Sequence, residues 1–288
     1  MPTIWELDFY SRPVLDEKGK KLWEVLICES PLDVKQPVDG LFRYSTFLSN
    51  TEVNSVRLRE AVDEAIAQAP APPDKIRFFR RQMSNMITKA CEDAGVPAYP
   101  SRRTLALSRW IDERLADVYP AMPNYQAGNN PSVLLPNPTP QPLPDALIGQ
   151  QWAFVTLEAA AFDDLGEWAI DFGEAFPLSL AGIAPKTPVP GLVVFSPRAL
   201  PLAAWMSGLE IAFVKYLSES SPPQLLLETG GSDSWILANL TTPALQQEAA
   251  QFEAAKAQSN GIHFIAVQSD PQSEEFKGFW LLVELVLG

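Results

Sequence analysis

Lys75–Arg81 reads K-I-R-F-F-R-R, followed by Q-M-S-N-M-I-T-K-A-C-E-D-A-G (Gln82–Gly95) and, from Pro100 to Arg114, P-S-R-R-T-L-A-L-S-R-W-I-D-E-R. Ile76 and Phe78 alternate with Arg77, Phe79 and Arg81, the period-two pattern of a strand. The next segment places Met83, Met86, Ile87, Ala90 and Cys91 on one helical face; Gly95 stops that helix and Pro97 prevents its resumption. A further helix carries Leu107, Trp110, Ile111, Leu115 and Val118 at helical spacing, with Arg109 set to pair with Glu113 one turn on.

This stretch is electrically unlike its surroundings. From Asp74 to Trp110 eight Lys/Arg face three Asp/Glu, a local charge of +5, whereas the whole chain carries −13 and the remainder therefore −18. A localised basic patch is the usual footprint of a polyanion site. Arg77, Arg80, Arg81, Lys89, Arg102, Arg103 and Arg109 are the candidate phosphate contacts, and Phe79 and Trp110 the candidate stacking rings, because single-stranded RNA is gripped by arginines on phosphates and aromatic rings under bases. The same pattern also fits a strand buried beneath helices on both sides, with Phe79 in the core.

Working outward, Ile4–Phe9 and Leu22–Cys28 read as paired strands about a turn at Asp16–Gly19, and Phe42–Leu48 as a third strand. Ser49-Asn50-Thr51-Glu52 has the form of a capping box opening a helix that Pro70 closes. From Pro120 to Pro144 eight of 25 residues are proline, the composition of an extended connector. Beyond it, Trp152–Leu157 and Gly191–Phe195 read as strands. A helix follows, with Leu202, Trp205, Leu209, Phe213 and Tyr216 on one face. A hairpin then forms around Gly230–Asp233, a helix is capped by Thr242, and Ile262–Val267 and Phe279–Leu285 are apolar strands. The expected fold is mixed α+β in two domains, residues 1–119 and 151–288 about a 120–150 linker. Each domain holds a small mixed sheet with a hairpin and packed helices, and the hairpin–helix–strand echo suggests an internal duplication.

Chemistry is sparse. Glu6, Asp8 and Glu24 lie on adjacent strands, as carboxylates do in the metal-binding core of restriction-type nucleases, but Leu26 stands where the water-activating lysine would be. The second half offers Glu228 with Trp235-Ile236-Leu237 in place of acid and lysine. The lone His263 lies in an apolar strand, and no nucleophile elbow, phosphate loop or dinucleotide fingerprint occurs. Two cysteines in apolar patterns, Cys28 and Cys91, fit reduced buried thiols. No catalytic residue, metal site or cofactor is expected, and no apolar run is long enough for membrane insertion. Seven acids and no Lys/Arg between Asp145 and Ala184 read as a solvated acidic face.

W-E-L-D-F-Y-S-R-P-V-L-D (Trp5–Asp16), K-L-W-E (Lys21–Glu24), P-S-R-R-T-L-A-L (Pro100–Leu107), P-Q-P-L-P-D-A-L-I-G (Pro140–Gly149), W-A-F-V (Trp152–Val155) and G-F-W-L-L (Gly278–Leu282) together resemble one family across nearly the whole chain. It is the RNA-binding translation factor family of chloroplasts and cyanobacteria required for synthesis of the photosystem I reaction-centre protein PsaB. The resemblance implies an N-terminal and a C-terminal domain, and binding of A/U-rich single-stranded RNA in the 5′ leader of photosystem mRNAs. It also implies promotion of translation and photosystem I biogenesis, with translation or photosystem assembly proteins as further partners. It adds Trp280, Leu281 and Leu282, the family's Trp-Leu-Leu motif, as candidate RNA contacts, although Trp280 and Leu282 alternate as core residues also do. The N-terminus lacks the transit character of plant members, which points to a cyanobacterial-type, cytoplasmic protein. Two other readings stand beside it: a photosystem assembly factor acting by protein–protein contacts, and a degenerate metal-dependent nuclease fold.

Overall fold

A computed structural model describes residues 2–127, 139–149, 151–231 and 233–285. The described residues up to Pro31 and from Pro37 to Ala127 form one unit; Leu32–Gln36 and the described residues from 139 onward form the other. The architecture is mixed α/β with three mixed sheets.

In the first unit, β1 (Ile4–Leu15), β2 (Lys21–Glu29) and β3 (Arg43–Leu48) form an antiparallel meander. The first turn works as the sequence requires: Asp16 Oδ1 accepts the Lys18 and Lys20 amides, and Gly19 takes the left-handed conformation at φ +72°. The capping box does not open the long helix. The Ser49 amide donates to Glu52 at 3.0 Å around a single 3₁₀ turn, and Asn54 then caps α1 (Ser55–Gln68), its side chain accepting the Arg57 amide at 2.9 Å. β4 (Lys75–Phe78) returns parallel to β1, α2 (Ser84–Asp93) follows, and β5 (Ala98–Pro100) joins parallel to β4, giving the order β3-β2-β1-β4-β5. α3 (Leu105–Glu113) runs into a π-helical turn, Arg114–Val118, and a 3₁₀ turn, Tyr119–Ala121.

The two faces of this sheet differ. Odd positions on β1 and β2 (Trp5, Leu7, Phe9, Val25, Ile27) join Ile76, Phe78 and Ala98 in a core with Leu58, Ala61, Val62, Ile87, Ala90 and Cys91 from α1 and α2. Even positions (Glu6, Asp8, Glu24), with Arg77, make the opposite face charged, although each is buried. Both cysteines are buried and unbridged; burial pushes the Cys91 thiol up to about 12.

The second unit holds β6 (Gln141–Pro142), β7 (Gln151–Glu158), β8 (Ile170–Glu174), α4 (Leu178–Ala181), β9 (Pro188–Phe195), α5 (Ala199–Ser207), β10 (Ile211–Leu217), β11 (Gln224–Thr229), β12 (Ser234–Asn239), α6 (Pro243–Gln258), β13 (Ile262–Gln268) and β14 (Phe276–Val283). One sheet runs β10-β11-β12-β6 and the other β7-β9-β13-β14-β8. The proline-rich segment is thus not all connector, since Gln141 and Pro142 pair with Trp235 and Ile236; its residues 128–138 and 150, like Ser232 in the Gly230–Asp233 turn, lie outside the described residues. The helix expected to continue through Phe213 and Tyr216 stops at Gly208, and I-A-F-V-K-Y-L becomes β10, where β-branched and aromatic residues fit a pleated surface.

The order meander, helix, strand occurs twice, as β1-β2-β3-α1-β4 and β10-β11-β12-α6-β13, one strand out of step with the hairpins the sequence suggested. In the first, β4 pairs with β1. In the second, β13 belongs to the other sheet and meets β10 through a side chain: buried His263 accepts the Val214 amide on Nε2 at 2.9 Å, while its other ring nitrogen lies 2.9 Å from the Gly261 carbonyl. Lys256 donates to the Val214 carbonyl and Glu253 accepts the Tyr216 amide, so side chains occupy backbone groups of this sheet-edge strand.

Candidate nucleic-acid interface

The charged face of the first sheet holds a connected set of ion pairs. Asp8 accepts from Arg12 at 2.9 Å and from Arg80 at 2.5 Å, one guanidinium on each oxygen. Arg12 also reaches Glu24 at 3.0 Å, and Glu24 further binds Arg114 and accepts the Tyr119 hydroxyl at 2.5 Å. Glu6 accepts the Leu107 amide at 2.7 Å, so a β1 carboxylate caps α3, which has no cap from its own Thr104 side chain. Arg80 lies 3.9 Å from the Tyr10 ring centroid and 5.0 Å from that of Phe79. Burial lowers the Arg12 pKa, but Asp8, Tyr119 and Glu24 outweigh it and the net shift is upward; burial, ahead of Glu24, raises the Tyr119 hydroxyl.

Sequence reasoning picked out Asp8 and Glu24 but not Arg12, Arg114 or Tyr119. Strand parity offered a signal for Arg12, which follows Asp8 by four residues and so falls on the same face. Arg114 reaches Glu24 from the π-helical turn and Tyr119 from the 3₁₀ turn after it, and no sequence pattern announces either. The arrangement leaves little for metal chemistry: every oxygen of Asp8 and Glu24 is already bonded, and a divalent cation would meet three guanidiniums. Among the described residues no group of three His, Cys, Asp or Glu side chains is placed to hold a metal ion.

The candidate RNA contacts divide sharply by exposure. Arg77, Arg80, Arg102, Phe79 and Trp110 are buried. Phe79 at 3% and Trp110 at 5% exposure present no face to a base, which corrects their reading as stacking platforms; Arg43 and Arg114 already lie over the Trp110 ring at 5.2 and 5.6 Å. Trp280, Leu281 and Leu282 are core residues of β14, a central strand: Trp280 stands opposite Ile265 and packs over Gly278, which Ala203 also approaches. Their apolar spacing serves the sheet, which corrects their reading as RNA contacts. Lys89 is exposed and pairs with Asp93 at 2.9 Å; Arg109 pairs with Asp112 at 3.6 Å, and Arg43 with Glu113 at 2.9 Å. Arg81 and Arg103 are partly exposed.

These last two share one end of the sheet. β4 and β5 are parallel neighbours in register Phe78–Pro100, and the ladder runs on as the Ser101 amide donates to the Phe78 carbonyl at 2.8 Å. Arg80-Arg81 and Arg102-Arg103 therefore leave the carboxyl ends of adjacent strands together, each pair leading to a helix with no acidic residue in its first turn. The carboxyl ends of parallel strands are where open α/β sheets place their ligands.

Two family models cover most of the chain in order: the N-terminal domain of RNA-binding protein Tab2/Atab2 matches residues 4–114, and the C-terminal domain of the same family matches residues 130–283. The chain belongs to the Tab2/Atab2 family. Among curated relatives it is 40% identical over 289 residues to "Protein TAB2 homolog, chloroplastic" of Arabidopsis thaliana, covering 98% of this chain and 74% of that protein. It is 41% identical over 288 residues to the protein of the same description from Zea mays, covering 98% and 71%. The sequence resemblance is thereby borne out; the second Tab2/Atab2 model begins at residue 130, within the proline-rich segment. No helix among the described residues is long and apolar enough to cross a membrane.

Proposed function

We propose that this protein binds A/U-rich single-stranded RNA in the 5′ leader of photosystem mRNAs and promotes their translation, and with it photosystem I biogenesis, without catalysing a reaction. The observation that carries the reading is the match of both halves of the chain, in order, to a family described as RNA-binding. The basic carboxyl edge of β4 and β5 supports it physically, because a chain of net charge −13 repels RNA in general and needs a local positive surface to hold it. The arginines on Asp8 and Glu24 favour binding over metal-dependent cleavage. A reducing compartment, the cytoplasm in this proposal, agrees with two buried unbridged cysteines.

The test is competitive binding together with a translation reporter. A labelled A/U-rich single strand is challenged with unlabelled A/U-rich, G/C-rich and duplex RNA, and reporters with and without an A/U-rich leader are translated in the presence of the protein. Displacement by the A/U-rich strand first, with leader-dependent stimulation, is expected. Equal displacement by all three removes the sequence preference. RNA shortening in magnesium that Asp8→Ala abolishes restores the nuclease reading.

A further inference from the structure

We infer that Tyr99 is the base-stacking residue of the RNA site, flanked at the carboxyl edge of β4 and β5 by Arg81 and Arg103. The inference rests on the RNA-binding reading above and gives it a location. Tyr99 is 49% exposed, and among the described residues it is the one aromatic side chain left exposed. It lies in β5, the edge strand, opposite Arg77 in the parallel ladder and therefore on the charged face of the sheet, away from its neighbour Ala98, which enters the core.

The neighbourhood suits a polyanion. No acid occurs from Lys75 to Cys91 or from Ala94 to Ile111. Arg103 follows Tyr99 by four residues, and Arg81 follows its ladder partner Arg77 by four, so each arginine is within about 13 Å of chain reach. Nucleotides in an extended single strand are spaced so that a ring and flanking guanidiniums hold a base and its phosphates together. Tyr99 leaves a ring face in contact with water on an open strand edge. Stacking uses that face without demanding one base, because every base has a π-face.

The experiment measures affinity for an A/U-rich single-stranded RNA at several salt concentrations for wild type, Tyr99→Ala, Tyr99→Phe and Arg81→Ala/Arg103→Ala, with far-UV circular dichroism confirming the fold of each. Tyr99→Ala is expected to bind about tenfold more weakly with an unchanged salt slope, since stacking releases no counterions. Tyr99→Phe is expected to bind as wild type does, and the double arginine variant to flatten the slope. Wild-type affinity in a folded Tyr99→Ala overturns the inference and leaves RNA binding standing. Tyr99→Phe as weak as Tyr99→Ala overturns stacking in favour of the hydroxyl. A changed oligomeric state in Tyr99→Ala at unaltered RNA affinity overturns it in favour of pairing between copies along β5. Failure of wild type to bind at all removes the RNA reading with it.

Discussion

Asp8 shows what a single carboxylate does in this fold. It faces Arg12 and Arg80, all three nearly inaccessible to water. Asp8→Ala leaves two buried guanidiniums short of a counter-charge, and breaking such pairs costs about 3–5 kcal/mol. Urea denaturation is expected to show that loss, and a loss below about 1 kcal/mol would mean the guanidiniums find water instead. His263 gives a pH test. Burial first, then Lys256, lowers its pKa to about 3, below the unfolded value of 6.5, so the folded protein keeps the ring neutral while the unfolded chain takes up a proton. The stabilising contribution is whole above pH 6.5 and is lost as pH falls toward 3, at about 1.4 kcal/mol per pH unit. His263→Gln keeps an acceptor for the Val214 amide, and between pH 7 and 5 its stability is expected to fall less steeply than that of wild type. Parallel curves would contradict a buried neutral histidine.

At the scale of elements, the strand at Lys75 and the helices on either side were legible because period-two and period-3.6 patterns follow directly from which face is buried. What those patterns leave open is burial of the second face. Arg77 and Phe79 fitted either an exposed stripe or a buried second face, and the fold covers them. Alternation says that two faces differ, not that the polar one meets water; a charged face can be buried when each charge finds a partner elsewhere in the chain, and those partners are remote, Arg80 lying 72 residues from Asp8. Trp280 follows the same logic with apolar atoms, as it lies in a central strand over Gly278, where an added Cβ would come within 2.4 Å of the indole. Gly278→Ala is expected to cost about 1–3 kcal/mol by overpacking, read as a lowered denaturation midpoint. Gly95→Ala tests backbone conformation instead of packing, since φ is +80° with open space around it; its cost is expected near 1 kcal/mol.

For the whole molecule, the segregation of charge was the readable feature. A +5 segment in a −13 chain marks where an anion can approach, and three of its cations, Arg77, Arg80 and Arg102, prove to be buried while Arg81 and Arg103 stay at the surface. Composition narrows the search for a polyanion site to a few strands, and only the fold separates arginines that hold the sheet from arginines that reach solvent. The measurement that tests this most directly is a salt series of A/U-rich single-stranded RNA binding to wild type, Arg81→Ala/Arg103→Ala and Lys18→Ala/Lys20→Ala, the last pair lying at the exposed β1–β2 turn. The surface-arginine variant is expected to remain folded and to flatten the slope of log affinity against log salt by about 0.7 for each phosphate contact removed, while the turn variant keeps the wild-type slope. A folded Arg81→Ala/Arg103→Ala protein with the wild-type affinity and slope would contradict an RNA site at the carboxyl edge of β4 and β5.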